Sequence, residues 1–279
     1  GNVSVTISYK AIDNAGAESN NTGSVTLPFF VPYNISGTIF NDVDGLTDGN
    51  IDGTGTNVGG TLYVSLVDGG NNVIATVPVN ADGTYTFTGV NNGSYSVVLN
   101  TTSGGSNTAG LPAGWVNTGE DCCDNTGSDG TVNGIVSLTV AGADITNSNF
   151  GIEQPPVANT STFTIQPNPR GTTSVLVPAN SFGGTDASAG IITAIRITAF
   201  PSNATSVTID GVTYTTLASI QAAYPNGIPT NASGEPTVHV SVDPADGSIP
   251  VSIPYKTIDN AGIESTNTAA VNIPFVTVN

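Results

Sequence analysis

Asp82-Gly83-Thr84-Tyr85-Thr86-Phe87 and, shortly after it, Asn92-Gly93-Ser94-Tyr95-Ser96-Val97-Val98-Leu99 decide the fold class. Each opens on an Asp-Gly or Asn-Gly pair, which accepts the positive φ of a tight hairpin turn. Each then alternates polar with apolar residues, the period of a strand with one face in a core. The same alternation recurs at 35–40, 61–67 and 73–79 before these segments and at 135–140 and 145–150 after them. A second series reads as strands at 175–177, 191–200, 207–209, 238–242, 249–255 and 270–276, with Asp210-Gly211 as a turn. Only 217–224 carries a short helical pattern. Many short strands joined by Gly, Asn and Asp turns predict an all-β chain of tandem antiparallel β-sandwich domains.

The two ends of the chain explain each other. Tyr9-Lys10-Ala11-Ile12-Asp13-Asn14-Ala15-Gly16-Ala17-Glu18-Ser19 returns as Tyr255-Lys256-Thr257-Ile258-Asp259-Asn260-Ala261-Gly262-Ile263-Glu264-Ser265, with nine of eleven positions identical at an offset of 246. Val25, Pro28 and Phe29 match Val271, Pro274 and Phe275 at the same offset. The expected organisation is residues 1–33 as the last strands of one repeat, 34–153 as a different sandwich, and 154–279 as a full copy of the first type. A period of this kind is the mark of a tandem array. The strand pattern is already under way at residue 1 and methionine is absent, so the reading expects a segment of a longer chain.

The charge is lopsided. The formal net charge is −17, yet only 9% of residues are charged. Residues 34–153 carry ten aspartates and two glutamates with no Lys, Arg or His. The densest stretch is Asn41-Asp42-Val43-Asp44-Gly45-Leu46-Thr47-Asp48-Gly49-Asn50-Ile51-Asp52-Gly53. Carboxylates this close repel unless something neutralises them. Calcium suits such a loop, because it takes six to eight oxygen ligands in irregular geometry. The match to an EF-hand is poor: counting from Asp42, Leu46 stands at position 5 and Gly53 at position 12, where a Glu would be needed. The alternative is a solvated turn. A second acidic run, Glu120-Asp121-Cys122-Cys123-Asp124-Asn125 with Asp129 beyond, could be a further calcium site or a loop closed by a disulfide between the adjacent cysteines. Those cysteines could also stay free or pair between chains. Zinc is disfavoured, since adjacent cysteines do not easily reach tetrahedral geometry and this region has no histidine.

The order Gly37-Thr38-Ile39-Phe40-Asn41-Asp42, acidic loop, Asp82-Gly83-Thr84-Tyr85-Thr86-Phe87, Gly93-Ser94-Tyr95-Ser96-Val97 resembles the SdrD B-like domains of the CnaB (prealbumin-like) superfamily. These are calcium-binding stalk modules of bacterial surface adhesins. The resemblance covers residues 34–153 and implies Asn41, Asp42, Asp44, Asp48 and Asp52 as calcium ligands. With no lysine, this region cannot form the lysine–asparagine isopeptide bond of many CnaB domains. Residues 154–279, with the Asp259-Asn260-Ala261-Gly262 turn, resemble the Ig-like or cadherin-like modules of giant Bacteroidetes surface proteins such as the SprB-like gliding adhesins.

Acidity argues against nucleic acid and anionic membranes as partners, and no apolar run is long enough to span a bilayer. The lone histidine, His239, alternates away from its neighbouring valines and reads as a solvent-side residue. No nucleophile elbow is present. An isopeptide from Lys10 or Lys256 is a lesser option beside a surface lysine. The expected function is therefore non-enzymatic. It is a repeat segment of an extracellular bacterial surface adhesin or filament, stiffened by calcium, for adhesion and gliding. Its partners would be neighbouring repeats and surface glycans or other cells. The alternative is a carbohydrate-binding or accessory module of a secreted polysaccharide-degrading protein, with loop aromatics such as Trp115 or Tyr224 stacking on sugars.

Overall fold

The computed structural model describes residues 3–29, 31–123, 128–187 and 189–277. Asp124 lies outside them.

The first strands, Val3–Tyr9 and Gly23–Phe29, pair as an isolated antiparallel hairpin. A first sandwich follows. One of its sheets runs in the order Ile135–Val140, Gly93–Asn100, Tyr63–Asp68, Val73–Pro78. The other runs Thr54–Gly55, Tyr33–Asn41, Ser148–Glu153, Val116–Cys122, with Thr84–Val90 also paired to Tyr33–Asn41. Alternate residues of the two sheets meet in one apolar core, including Ile35, Ile39, Val64, Leu66, Phe87, Val97 and Phe150. Each such side chain stabilises by roughly 1.5–3 kcal/mol through burial. The Tyr85 hydroxyl finds its partner inside, donating to Ser148 O at 2.5 Å.

A second sandwich pairs Pro250–Asp259 with Ala269–Val276 and Ile192–Ile197 in one sheet. It sets Val175–Val177, Val240–Pro244, Ala204–Ile209 and Val212–Tyr214 in the other. Its core is separate, built around Ile195, Val207, Val242, Val251, Ile253, Tyr255, Val271 and Phe275. The helix Leu217–Ala223 sits where the pattern predicts one, capped by Thr216 Oγ1 accepting from Ser219 N.

Three details differ from the sequence reading. The pairing is not purely antiparallel: Phe150–Ile152 runs parallel to Ile39–Asn41, and Ser161–Thr162 and Gln166–Pro167 run parallel to Ala269–Val276. The last strand of the first sandwich is Ser148–Glu153 rather than 145–150, with Ile145 making only an isolated bridge to Ile35. Val116–Cys122 is a strand, so Glu120 and Asp121 stand on a sheet and not in a loop. Its Asn, Gly, Glu and Asp residues have low strand propensity, and pairing with Ser148–Glu153 overrides it.

The terminal hairpin is the same object seen twice. Ser4↔Pro28, Val5↔Leu27, Ile7↔Val25 and Tyr9↔Gly23 repeat as Pro250↔Pro274, Val251↔Ile273, Ile253↔Val271 and Tyr255↔Ala269. Its tip bridge Ile12↔Glu18 repeats as Ile258↔Glu264. Even the lysine ion pair recurs, Lys10–Glu18 at 3.2 Å and Lys256–Glu264 at 3.6 Å. What differs is cover: Val5, Ile7 and Tyr9 are 45%, 52% and 55% exposed, while Val251, Ile253 and Tyr255 are 0% exposed. In the second copy the facing sheet supplies the core; in the first, nothing among the described residues does.

Candidate functional site

The acidic loop 41–53 leaves the end of Tyr33–Asn41 and is anchored to its sheet. Asp42 N donates to Ile152 O at 3.0 Å, which seats Asp42 beside the Ser148–Glu153 strand. Opposite, the ladder slips: Gly151 pairs with Gly119 but Ile152 with Asn117, so Thr118 is the extra residue of a bulge. The bulge aims Thr118 Oγ1 at Asp42 Oδ2, a bond of 3.0 Å. Gly151 lies under this pair, and a Cβ there would stand 2.3 Å from Asp42 Oδ2 and 2.4 Å from Thr118 Oγ1.

The sequence candidates separate into different environments. Asp42 is 1% exposed and its Oδ1 has no hydrogen-bond partner. Burial pushes its carboxyl up to about 7 against the Thr118 bond, with Asp44, Asp52 and Asp48 adding to the rise. Asn41 and Asp44 flank it, half-buried. Asp48 and Asp52 are on the exposed outside of the loop. Asp48 accepts from Asn50 Nδ2 at 3.0 Å and Asn50 N at 2.8 Å, and these bonds hold its carboxyl below the usual range. Partial desolvation and then Asp48 and Asp44 raise that of Asp52.

Glu120 is fully buried, with Oε1 accepting from Asn133 N and Oε2 unpartnered. Burial pushes it up to about 7, against backbone hydrogen bonds from Asn133 and Gly134. Asp129 shares its neighbourhood through Asp129 N donating to Glu120 O at 3.0 Å, while its own Oδ1 accepts from Thr131 N at 3.2 Å. Asp121 follows Glu120 on the strand and so points to the other face. Cys122 and Cys123 are bonded to each other, with Cα atoms 3.7 Å apart.

The most charged buried place joins both sandwiches, and the sequence reading passed over it. Glu153, the last residue of its strand, is 0% exposed and neither carboxylate oxygen has a hydrogen-bond partner. The charges that bear on it are Asp259, Asp186, Asp42 and Asp44, all negative. Burial first and these carboxylates next push it up to about 9. Asp259, from the hairpin tip of the second sandwich, is 1% exposed. Its Oδ1 accepts from Ile263 N at 2.8 Å, and its Oδ2 is unpartnered. Burial raises it to about 6 against the Ile263 bond, with Asp186 contributing. Asn260 and Asp186 crowd the same spot: a Cβ on Gly190 would lie 2.8 Å from Asn260 Oδ1 and 2.6 Å from Asp186 Oδ2. The acidic loop closes on this tip, with Thr47 Oγ1 donating to Asn260 O at 2.7 Å. Gly45, at φ 53°, comes so close that a Cβ would stand 3.2 Å from Ala261 Cβ. The nearby cations are already engaged, Arg196 with Glu264 at 2.6 Å and Lys256 with Glu264 at 3.6 Å.

Among the described residues, no three His, Cys, Asp or Glu side chains are placed as they stand to hold a metal ion. The donors are nonetheless the right kind for a hard cation, all oxygen with no imidazole or thiolate. His239 is exposed and takes part in none of this. Trp115 and Tyr224 are half-buried against the two cores, Tyr224 edge-on to Tyr214 at 6.4 Å.

No protein-family model matches the chain, and no curated protein does. Among solved structures, the chain is similar to the major pilin subunit BcpA of Bacillus cereus at 9% identity and a TM-score of 0.37, covering 89% of this chain and 70% of that one. It is also similar to a 1.5-MDa bacterial ice-binding adhesin (16% identity, TM-score 0.25, 99% and 75% covered). A third is the major pilin SpaD of Corynebacterium diphtheriae (12% identity, TM-score 0.32, 87% and 66% covered). At these identities and TM-scores, function must rest on the chain's own residues. No helix among the described residues is long and apolar enough to cross a membrane.

Proposed function

We propose that this chain is a structural segment of a long bacterial surface adhesin or filament, made of alternating sandwiches of two kinds and stiffened by calcium. The observation that carries this is the terminal hairpin. It repeats the pairing register of Pro250–Asp259 with Ala269–Val276 at a constant offset, yet shows bare the apolar face that the second copy buries. A preceding repeat of the second type supplies the missing half of that sandwich. The role is mechanical, to give reach and stiffness outside the cell, in adhesion and in gliding. Calcium supports it by neutralising the cation-free first sandwich, where Asp42 and Glu120 keep buried oxygens without hydrogen-bond partners. The glycan-binding alternative has less support, because Trp115 and Tyr224 are spent on packing.

The test is to fuse residues 154–246 ahead of residue 1, restoring the absent half from the chain's own second copy. Amide exchange at Val5 and Ile7 then slows to match Val251 and Ile253. If the added segment stays unfolded and the hairpin exchanges as before, the array reading fails.

A further inference from the structure

We propose that a calcium ion sits in the joint between the two sandwiches, held by Glu153 and Asp42 from one side and by Asp259 and Asp186 from the other, and that it locks the joint. This rests on the calcium reading above but names a different place from the acidic loop alone.

Three carboxylates of the joint are at most 1% exposed, Glu153, Asp42 and Asp259, and each has at least one oxygen without a hydrogen-bond partner. A buried ionised carboxylate without partner or counter-ion costs several kcal/mol, so such groups are normally paired or bound to metal. Here the polypeptide provides only more carboxylates. Protonation is the other escape, and it would need the joint to hold several acidic protons at neutral pH. A divalent cation removes the conflict in one step. The set offers four carboxylates and the Asn260 amide oxygen, which also accepts from Ile191 N at 2.8 Å, and these are the hard oxygen donors that calcium takes. The two backbones are already held together here, by Thr47 Oγ1 donating to Asn260 O and by the close approach of Gly45 to Ala261. The tip recurs at Asp13-Asn14-Ala15-Gly16, so an array would carry one such joint per repeat.

The experiment is calorimetric titration of the full 279-residue chain with calcium chloride, and separately with magnesium chloride, for wild type, Asp259→Asn, Glu153→Gln and Asp48→Asn. Asp259→Asn keeps an oxygen for Ile263 N, and Glu153→Gln removes a buried charge, so both variants fold. The expected result is that Asp259→Asn and Glu153→Gln each lose the same single equivalent of calcium, or weaken it at least about tenfold, since ligand charge sets affinity. Asp48→Asn retains it, and magnesium does not replace calcium. If wild type binds calcium while Asp259→Asn matches its stoichiometry and affinity, the joint site is overturned and the calcium of the first sandwich stands. If wild type binds none, both readings fall.

Discussion

Asp13 and Asp259 do the same job in two copies of one hairpin. Each accepts from the backbone amide four residues on through Oδ1, at 2.8 Å in both, so each closes the same Asp-Asn-Ala-Gly tip. They differ in surroundings, since Asp13 is exposed and Asp259 is buried against the other sandwich. Local structure at the tip is thus written in the local sequence, and burial is conferred by what packs on it.

The tyrosine of the hairpin gives a clean comparison. Tyr255 donates its hydroxyl to Asn159 O and accepts from Gly183 N at 3.1 Å, whereas Tyr9 is half exposed. Tyr255→Phe leaves buried groups unsatisfied and lowers stability by about 1–3 kcal/mol. Tyr9→Phe changes it by less than about 0.5 kcal/mol. Urea unfolding of both variants checks the difference, and equal effects would contradict the burial described.

Gly151 is the floor under Asp42 and Thr118. Gly151→Ala forces both side chains off their bond and destabilises the first sandwich by about 1–3 kcal/mol, the usual cost of overpacking. Thermal unfolding in chelator reads this directly. A variant as stable as wild type would mean that the bulge at Thr118 relaxes freely.

Metal-free protein has an acid-shifted stability profile. Burial raises Asp42 to about 7, Glu120 to about 7, Asp259 to about 6 and Glu153 to about 9. Between the ordinary carboxylate range and these values the folded chain holds protons that the unfolded chain has lost. Stability is therefore greatest below about pH 4 as far as these groups are concerned, and falls as pH rises towards 9. Excess calcium flattens the slope over that range, because the metal holds the ionised forms and the folded chain then keeps no extra protons to lose. Denaturant midpoints across pH 4 to 9 in chelator and in calcium check both slopes. A midpoint that rises with pH in chelator would contradict the buried, uncompensated carboxylates.

Much of the fold was legible. The Asp82-Gly83 and Asn92-Gly93 turns, the alternation beyond them and the helix near 217 are local signals, and the offset repeat located the hairpin pairing. The Val116–Cys122 strand was not, because its residues disfavour strands and it exists through its partner and a bulge. The candidate site was half legible. The loop around Asp42 announces itself by density, but Glu153 and Asp259 are single acids far apart in the chain, brought together only when two sandwiches meet. The one available signal was that the Asp259 tip repeats with its acid kept, which turn formation alone already explains.

The measurement that bears most directly on the central claim is thermal unfolding of the whole chain in millimolar calcium and in excess chelator. Calcium at a hundred times its Kd adds about 2.7 kcal/mol. At roughly 4 °C per kcal/mol for domains of this size, Tm rises by about 10 °C, with magnesium well behind. An unchanged Tm would contradict calcium stiffening and leave the offset hairpin as the only support for a surface filament.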